Sequence, residues 1–146
     1  NDGPYDGTYY QLAETICSPA PLAKPHPPIM IGGSGEQKTL RLVARYADAC
    51  NLFAGPDTTA EALKDKLDVL AQHCSNEGTP FERIRKTILW VGPLQASTPA
   101  DAAGFVDQMR AYADVGITDV RVMPSSDPVA FIWDLGSNVM PAISDL

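Results

Sequence analysis

Four times in succession, an apolar run of a few residues stops at glycine or proline and gives way to apolar residues at helical spacing. The first run is Ile29-Met30-Ile31, followed by Gly32-Gly33-Ser34-Gly35 and a predicted helix from about Glu36 to Ala47. Leu40, Val43, Ala44 and Ala47 make its single apolar stripe. Ser34 with Gln37 three residues later has the pattern of a capping box. The second run is Ala49 to Phe53, and its helix is predicted to start with Thr58 as cap and Glu61 closing the box. Leu63, Leu67, Leu70 and Cys74 mark the buried side, and Gly78 ends it. The third run is Thr87 to Val91, and Thr98-Pro99 opens its helix, which ends at Gly116. The fourth run is Asp119 to Met123, and Asp127-Pro128 opens a last helix that ends near Pro141.

Strands alternating with helices argue for a parallel sheet with helical crossovers. If strands keep adding in one direction, right-handed crossovers put every helix on one side, which is how a barrel is built. Four parallel strands alone leave two edges and a bare inner face. The expected fold is therefore α/β, the carboxy-terminal half of a (β/α)8 barrel, with residues 29–146 as four strand–helix units. A small doubly wound domain is the alternative, although such sheets usually carry a fifth strand. Residues 1–28 hold Pro4, Pro19, Pro21, Pro25, Pro27 and Pro28 and read as a long proline-rich connecting loop.

Composition narrows the function. Lys and Arg number 11 against 18 Asp and Glu, a net charge of −7, so a nucleic-acid partner is not expected. No apolar run is long enough to span a membrane, and no secretory leader is visible. Since the chain starts at Asn1, it is expected to be processed, trimmed or a piece of something longer. Cys17, Cys50 and Cys74 show no pairing pattern, and His26 and His73 are not spaced as ligands with them. We therefore expect no metal site, and three buried or half-buried thiols in a cytoplasmic, reducing setting.

The glycine-rich turn carries the sharpest chemical signal. A strand that runs into glycines and opens a helix presents unpaired N–H groups, with the helix dipole behind them, to an anion. Ser34 can donate its hydroxyl to a phosphate oxygen or cap the helix. The same residues also make an ordinary tight turn with a cap. The turn is no Walker loop, because no Gly-Lys-Ser/Thr follows, and Lys38 occupies the third glycine position of the dinucleotide fingerprint.

The stretches Pro27 to Glu36 and Thr39 to Asn51 resemble the luciferase-like monooxygenase family, closest to its deazaflavin-dependent oxidoreductase branch. Tyr5 to Tyr10, Gly116 to Val120, Leu135-Gly136 and Val139 to Ile143 are similar to further segments of that family. The resemblance implies an eight-stranded barrel of roughly twice this length. It also implies that the cofactor phosphate binds after the fifth strand. Carried over, the cofactor-binding residues are Gly32, Gly33, Ser34, Gly35 and Gln37. The implied cofactor is a deazaflavin, coenzyme F-420, with FMN as the alternative on the same barrel. The implied reaction is hydride transfer to or from a small organic substrate, or a monooxygenation in the FMN case. The cofactor carries the hydride chemistry, so no catalytic residue is assigned, and this stretch alone is not expected to catalyse efficiently. A homodimer of the full-length protein is compatible with this reading. The rival of another class is a non-catalytic small α/β binding domain.

Other residues have two readings. Asn51 and Phe53, at the end of the second strand, either line a ring pocket or pack in the core, and Trp90 and Met123 share the ambiguity. Arg121 alternates with Val120 and Val122, so it points to the barrel interior, where a carboxylate is expected to pair with it. Arg41, Arg45 and His26 read as surface. Glu36 suits the dipole of the first helical turn.

Overall fold

Thr98-Pro99, Asp127-Pro128 and Gly78 bound helices where the sequence placed them, and the four strand–helix units follow in the expected order. The computed structural model describes residues 3–124, 127–144 and 146. The first two residues of the expected 1–28 connection, and residues 125, 126 and 145 of the 29–146 unit, lie outside the described residues. Up to residue 29 the chain is mostly irregular and exposed, with a short antiparallel pair of strands β1 (Tyr5–Asp6) and β2 (Gln11–Leu12). Then come β3 (Met30–Gly32), α1 (Thr39–Tyr46), β4 (Ala49–Ala54) and α2 (Ala60–Glu77). They are followed by β5 (Arg85–Trp90), α3 (Pro99–Asp114) and β6 (Asp119–Arg121). Helix α4 (Pro128–Asp134) continues through a wide turn, Leu135–Val139, into α5 (Met140–Ile143).

Strands β3, β4, β5 and β6 form one parallel sheet in that spatial order. Period-2 alternation sorts their side chains. Cys50, Leu52, Ala54, Ile88 and Trp90 face the helices and form the core with Leu40, Leu67, Leu70, Phe105 and Tyr112. Burying each such leucine contributes roughly 1.5–3 kcal/mol. Trp90 meets Phe105 edge to face, ring centroids 4.9 Å apart, so its place is the core. The opposite face carries Met30, Gly32, Asn51, Phe53, Thr87, Leu89 and Arg121, and no helix covers it among the described residues.

The structure corrects several local expectations. Helix α1 starts at Thr39, not Glu36, and the Ser34–Gln37 capping box does not form. Gly33, at φ +123°, redirects the chain, and residues 36–38 are spent on a turn closed by Leu40 N–H to Gly35 O at 3.0 Å. Thr59, rather than Thr58, caps α2 by accepting from Ala62 N–H. Thr58 is used one residue earlier, where its hydroxyl accepts from Gly55 N–H at 2.9 Å. Strand β3 is not buried on both faces: Met30 is 40% exposed. The fourth strand stops at Arg121 instead of Met123, and the third begins at Arg85 and ends at Trp90. The last helix runs past Pro141. Proline lacks an N–H, and the chain widens just before it, with Met140 N–H reaching back five residues to Leu135 O.

Cys50 and Cys74 are buried, but Cys17 is exposed, against the expectation for all three. Burial pushes the Cys50 and Cys74 thiols above their ordinary range, which keeps them protonated and unreactive. Of these three cysteines, iodoacetamide is therefore expected to label Cys17 alone in the native protein and all three after unfolding. Mass spectrometry of the labelled peptides checks this, and rapid native labelling of Cys50 or Cys74 would contradict it.

Candidate functional site

The C-terminal end of β3 runs directly into the glycine-rich turn. Gly33 N–H donates to Asn51 O at 2.9 Å, which carries the β3–β4 ladder one residue past the strand. Beyond that point the backbone turns outward. The N–H groups of Ser34, Gly35, Glu36, Gln37 and Lys38 have no hydrogen-bond partner among the described residues. They lie at the start of α1, where the dipole favours an anion.

The glycines are required by contact as well as by dihedral angle. A Cβ on Gly33 would lie 3.2 Å from Thr39 Cγ2, and one on Gly35 would lie 2.9 Å from Thr39 Oγ1. Thr39 thus fills the hollow of the turn. Its hydroxyl is a further donor beside the free N–H groups, which the sequence reading missed. The signal was present as a polar residue immediately after the turn. Gln37 is exposed and sits in the turn before α1 rather than within the helix. Ser34 is half-buried and caps nothing, so its hydroxyl is available.

Helix α2 holds the turn from outside. Lys66 binds the Glu36 carboxylate, and the His73 ring lies 2.8 Å from Glu36 O through Nε2. Glu36 is therefore tied to α2 rather than lying in the first turn of α1. The Lys66 ammonium holds the Glu36 carboxyl below its usual range, so this tie persists at neutral pH and weakens only as pH falls through that lowered value.

The open face of the sheet carries two rows near the turn. The first is Gly32, Asn51, Thr87 and Asp119, matched in register across all four strands. Thr87 is fully buried, and its hydroxyl lies 2.8 Å from both Cys50 O and Asn51 Oδ1. Asn51 is thus held on this face by the neighbouring strand. The next row toward the strand ends is Phe53, Leu89 and Arg121. Phe53 is 53% exposed there, and it joins Gly55, Pro56, Thr58 and Val91 in lining an open cleft. Met123 lies beyond β6 and is exposed.

Arg121 points to the open face as expected, but no carboxylate lies within ion-pair distance of it among the described residues. The nearest acid on its own strand, Asp119, approaches Arg85 at 3.9 Å and accepts from the Thr118 hydroxyl. Arg41, Arg45 and His26 are exposed, Arg45 beside Glu77 and over the Tyr46 ring. No group of metal-ligating side chains occurs among the described residues. Nor, among them, is any helix long and apolar enough to cross a membrane.

Solved structures share this fold. An F-420-dependent secondary alcohol dehydrogenase, determined with an F-420–acetone adduct, superposes with a TM-score of 0.73 at 15% identity, over 98% of this chain and 57% of its own. The coenzyme F-420-dependent tetrahydromethanopterin reductase of Methanopyrus kandleri gives 0.62 at 12% identity, over 78% and 50%. The chain therefore spans about half the length of these proteins, and its four strand–helix units are part of a (β/α)8 barrel. No curated protein sequence matches it significantly. The luciferase-like monooxygenase family matches residues 3–119, and the chain belongs to that family.

Proposed function

We propose that this chain is the carboxy-terminal, cofactor-phosphate-binding half of an F-420-dependent oxidoreductase acting on a small organic substrate. The observation that carries the reading is the row of five N–H groups, Ser34 to Lys38, unpartnered among the described residues and closed around Thr39 by two glycines. These residues fit an oxyanion. Hydrogen bonds to a charged group contribute about 1.5–3 kcal/mol each, and the dipole of α1 adds roughly 0.3–1 kcal/mol. Ser34 and Thr39 supply hydroxyl donors, and Gln37 supplies an amide at the rim.

Lys66 and His73 keep Glu36 turned toward α2, which removes a carboxylate that would repel the phosphate. Asn51, fixed by Thr87, and the exposed Phe53 ring then form a polar and an apolar patch beside the turn for the cofactor ring. When bound, the deazaflavin supplies or accepts the hydride. The protein's part is binding and orientation. Membership of the family favours this over a free-standing binding domain, and the two F-420-dependent structural neighbours favour deazaflavin over FMN.

Fluorescence titration of the full-length protein tests the reading. F-420 is expected to bind at least about tenfold more tightly than FMN, a difference of 1.4 kcal/mol. Tighter binding of FMN would replace the cofactor, and binding of neither would overturn the proposal.

A further inference from the structure

Cofactor binding at the glycine turn leaves the Arg121 guanidinium unused. Arg121 ends β6, at the same end of the sheet as the turn, in register with Leu89 and Phe53 on the open face. Its Nη1 is shut off from water and has no hydrogen-bond partner among the described residues. Among the described residues only Trp90 Nε1 shares that condition, and it is a neutral donor on the helix-facing side. Two other arginines near the sheet have acceptors beside them: Arg83 has Ala47 O at 3.5 Å, and Arg85 has the Asp119 carboxylate at 3.9 Å. A buried cationic donor without an acceptor is costly, and a planar guanidinium is relieved best by a carboxylate or phosphate.

The glycine turn and Arg121 cannot share one anion. They belong to the first and fourth strands of the sheet, three spacings apart, which is about 14 Å at roughly 4.8 Å per spacing. We propose that Arg121 is a recognition residue for a second oxyanion, the carboxylate or phosphate of the organic substrate. The inference rests on the cofactor reading, since it takes the strand ends as the reaction site. It narrows the substrate class to anionic compounds, bound by a fork of N–H donors on β6 while the deazaflavin is anchored at β3.

The test uses the full-length protein, wild type, Arg121→Met and Arg121→Lys, titrated with acetate and with inorganic phosphate by thermal shift, with and without F-420. The wild type is expected to show saturable stabilisation by at least one of these ions. Arg121→Met should weaken it at least tenfold, Arg121→Lys should weaken it less, and affinity for F-420 should be unchanged in both. With F-420 occupying the glycine turn, anion binding that is the same in wild type and Arg121→Met overturns the proposal. So does a tenfold loss of F-420 affinity in Arg121→Met, which would make the anion the cofactor's own. Absence of anion binding in the wild type, with a lowered melting temperature in Arg121→Met, also overturns it, because the guanidinium would then pair within the protein. Failure of F-420 to bind any of the three proteins strikes the cofactor reading instead, and the role of Arg121 is then decided by whether the wild type has an anion-binding event that Arg121→Met lacks.

Discussion

Gly33→Val is expected to lower affinity for the deazaflavin coenzyme at least about 100-fold while the protein still folds. The native φ of +123° lies where side chains are strained, and a Cβ there would press on Thr39 Cγ2 at 3.2 Å. The turn must then move, and the N–H groups of residues 34–38 lose their common direction. Losing two charge-assisted hydrogen bonds removes about 3–6 kcal/mol, which corresponds to 100-fold or more. The cost in stability is smaller, about 1–3 kcal/mol for a strained backbone residue. Gly116→Ala is the matched control. Gly116 also has a positive φ, +97°, but nothing lies near its missing Cβ, and it follows α3 far from the turn. It should cost stability without changing affinity. Equal loss of affinity in both variants would show that strain, not the site, is being measured.

The largest effect on stability is expected at the centre of the layer between sheet and helices. Leu70 is fully buried on the sheet side of α2, among Leu40, Leu67 and Ile88 of the same core. Leu70→Ala should cost about 2–5 kcal/mol, from lost transfer free energy plus the cavity left behind. Urea unfolding of the full-length protein reads this as a lower midpoint at unchanged slope. A loss below about 1 kcal/mol would mean that this layer is not the stabilising core and would contradict the packing described here.

Much of this fold was legible because its signals are local. Thr98-Pro99, Asp127-Pro128 and Gly78 mark helix ends through single-residue chemistry, and the structure uses each of them there. The apolar stripes of α1 and α2 also lie where 3.6-residue periodicity put them. The misses arose where two local solutions competed. Ser34 and Gln37 had the spacing of a capping box, but Gly33 and Gly35 favoured a wider turn that spends three more residues before α1. Thr58 and Thr59 were both able to cap α2, and the Gly55 N–H claimed the first of them.

At the candidate site, the glycines were readable from sequence and Thr39 was overlooked beside them, whereas Lys66, His73 and Thr87 were not readable. Lys66, His73 and Thr87 act on residues more than 29 positions away, the first two from α2 onto the turn and the third across neighbouring strands, contacts that only the tertiary fold creates. Arg121 was placed on the correct face by alternation. Whether a partner stands beside it among the described residues depends on three-dimensional packing, which periodicity does not encode.

Amide chemical shifts of Ser34 to Lys38 test phosphate binding at the start of α1 most directly. The full-length protein is titrated once with F-420 and once with the deazaflavin nucleoside that lacks the phosphate. Binding at the turn predicts large downfield shifts of these five N–H signals with F-420, and small shifts or none with the nucleoside. Tight binding of F-420 with these five signals unmoved would place the phosphate elsewhere and contradict the site.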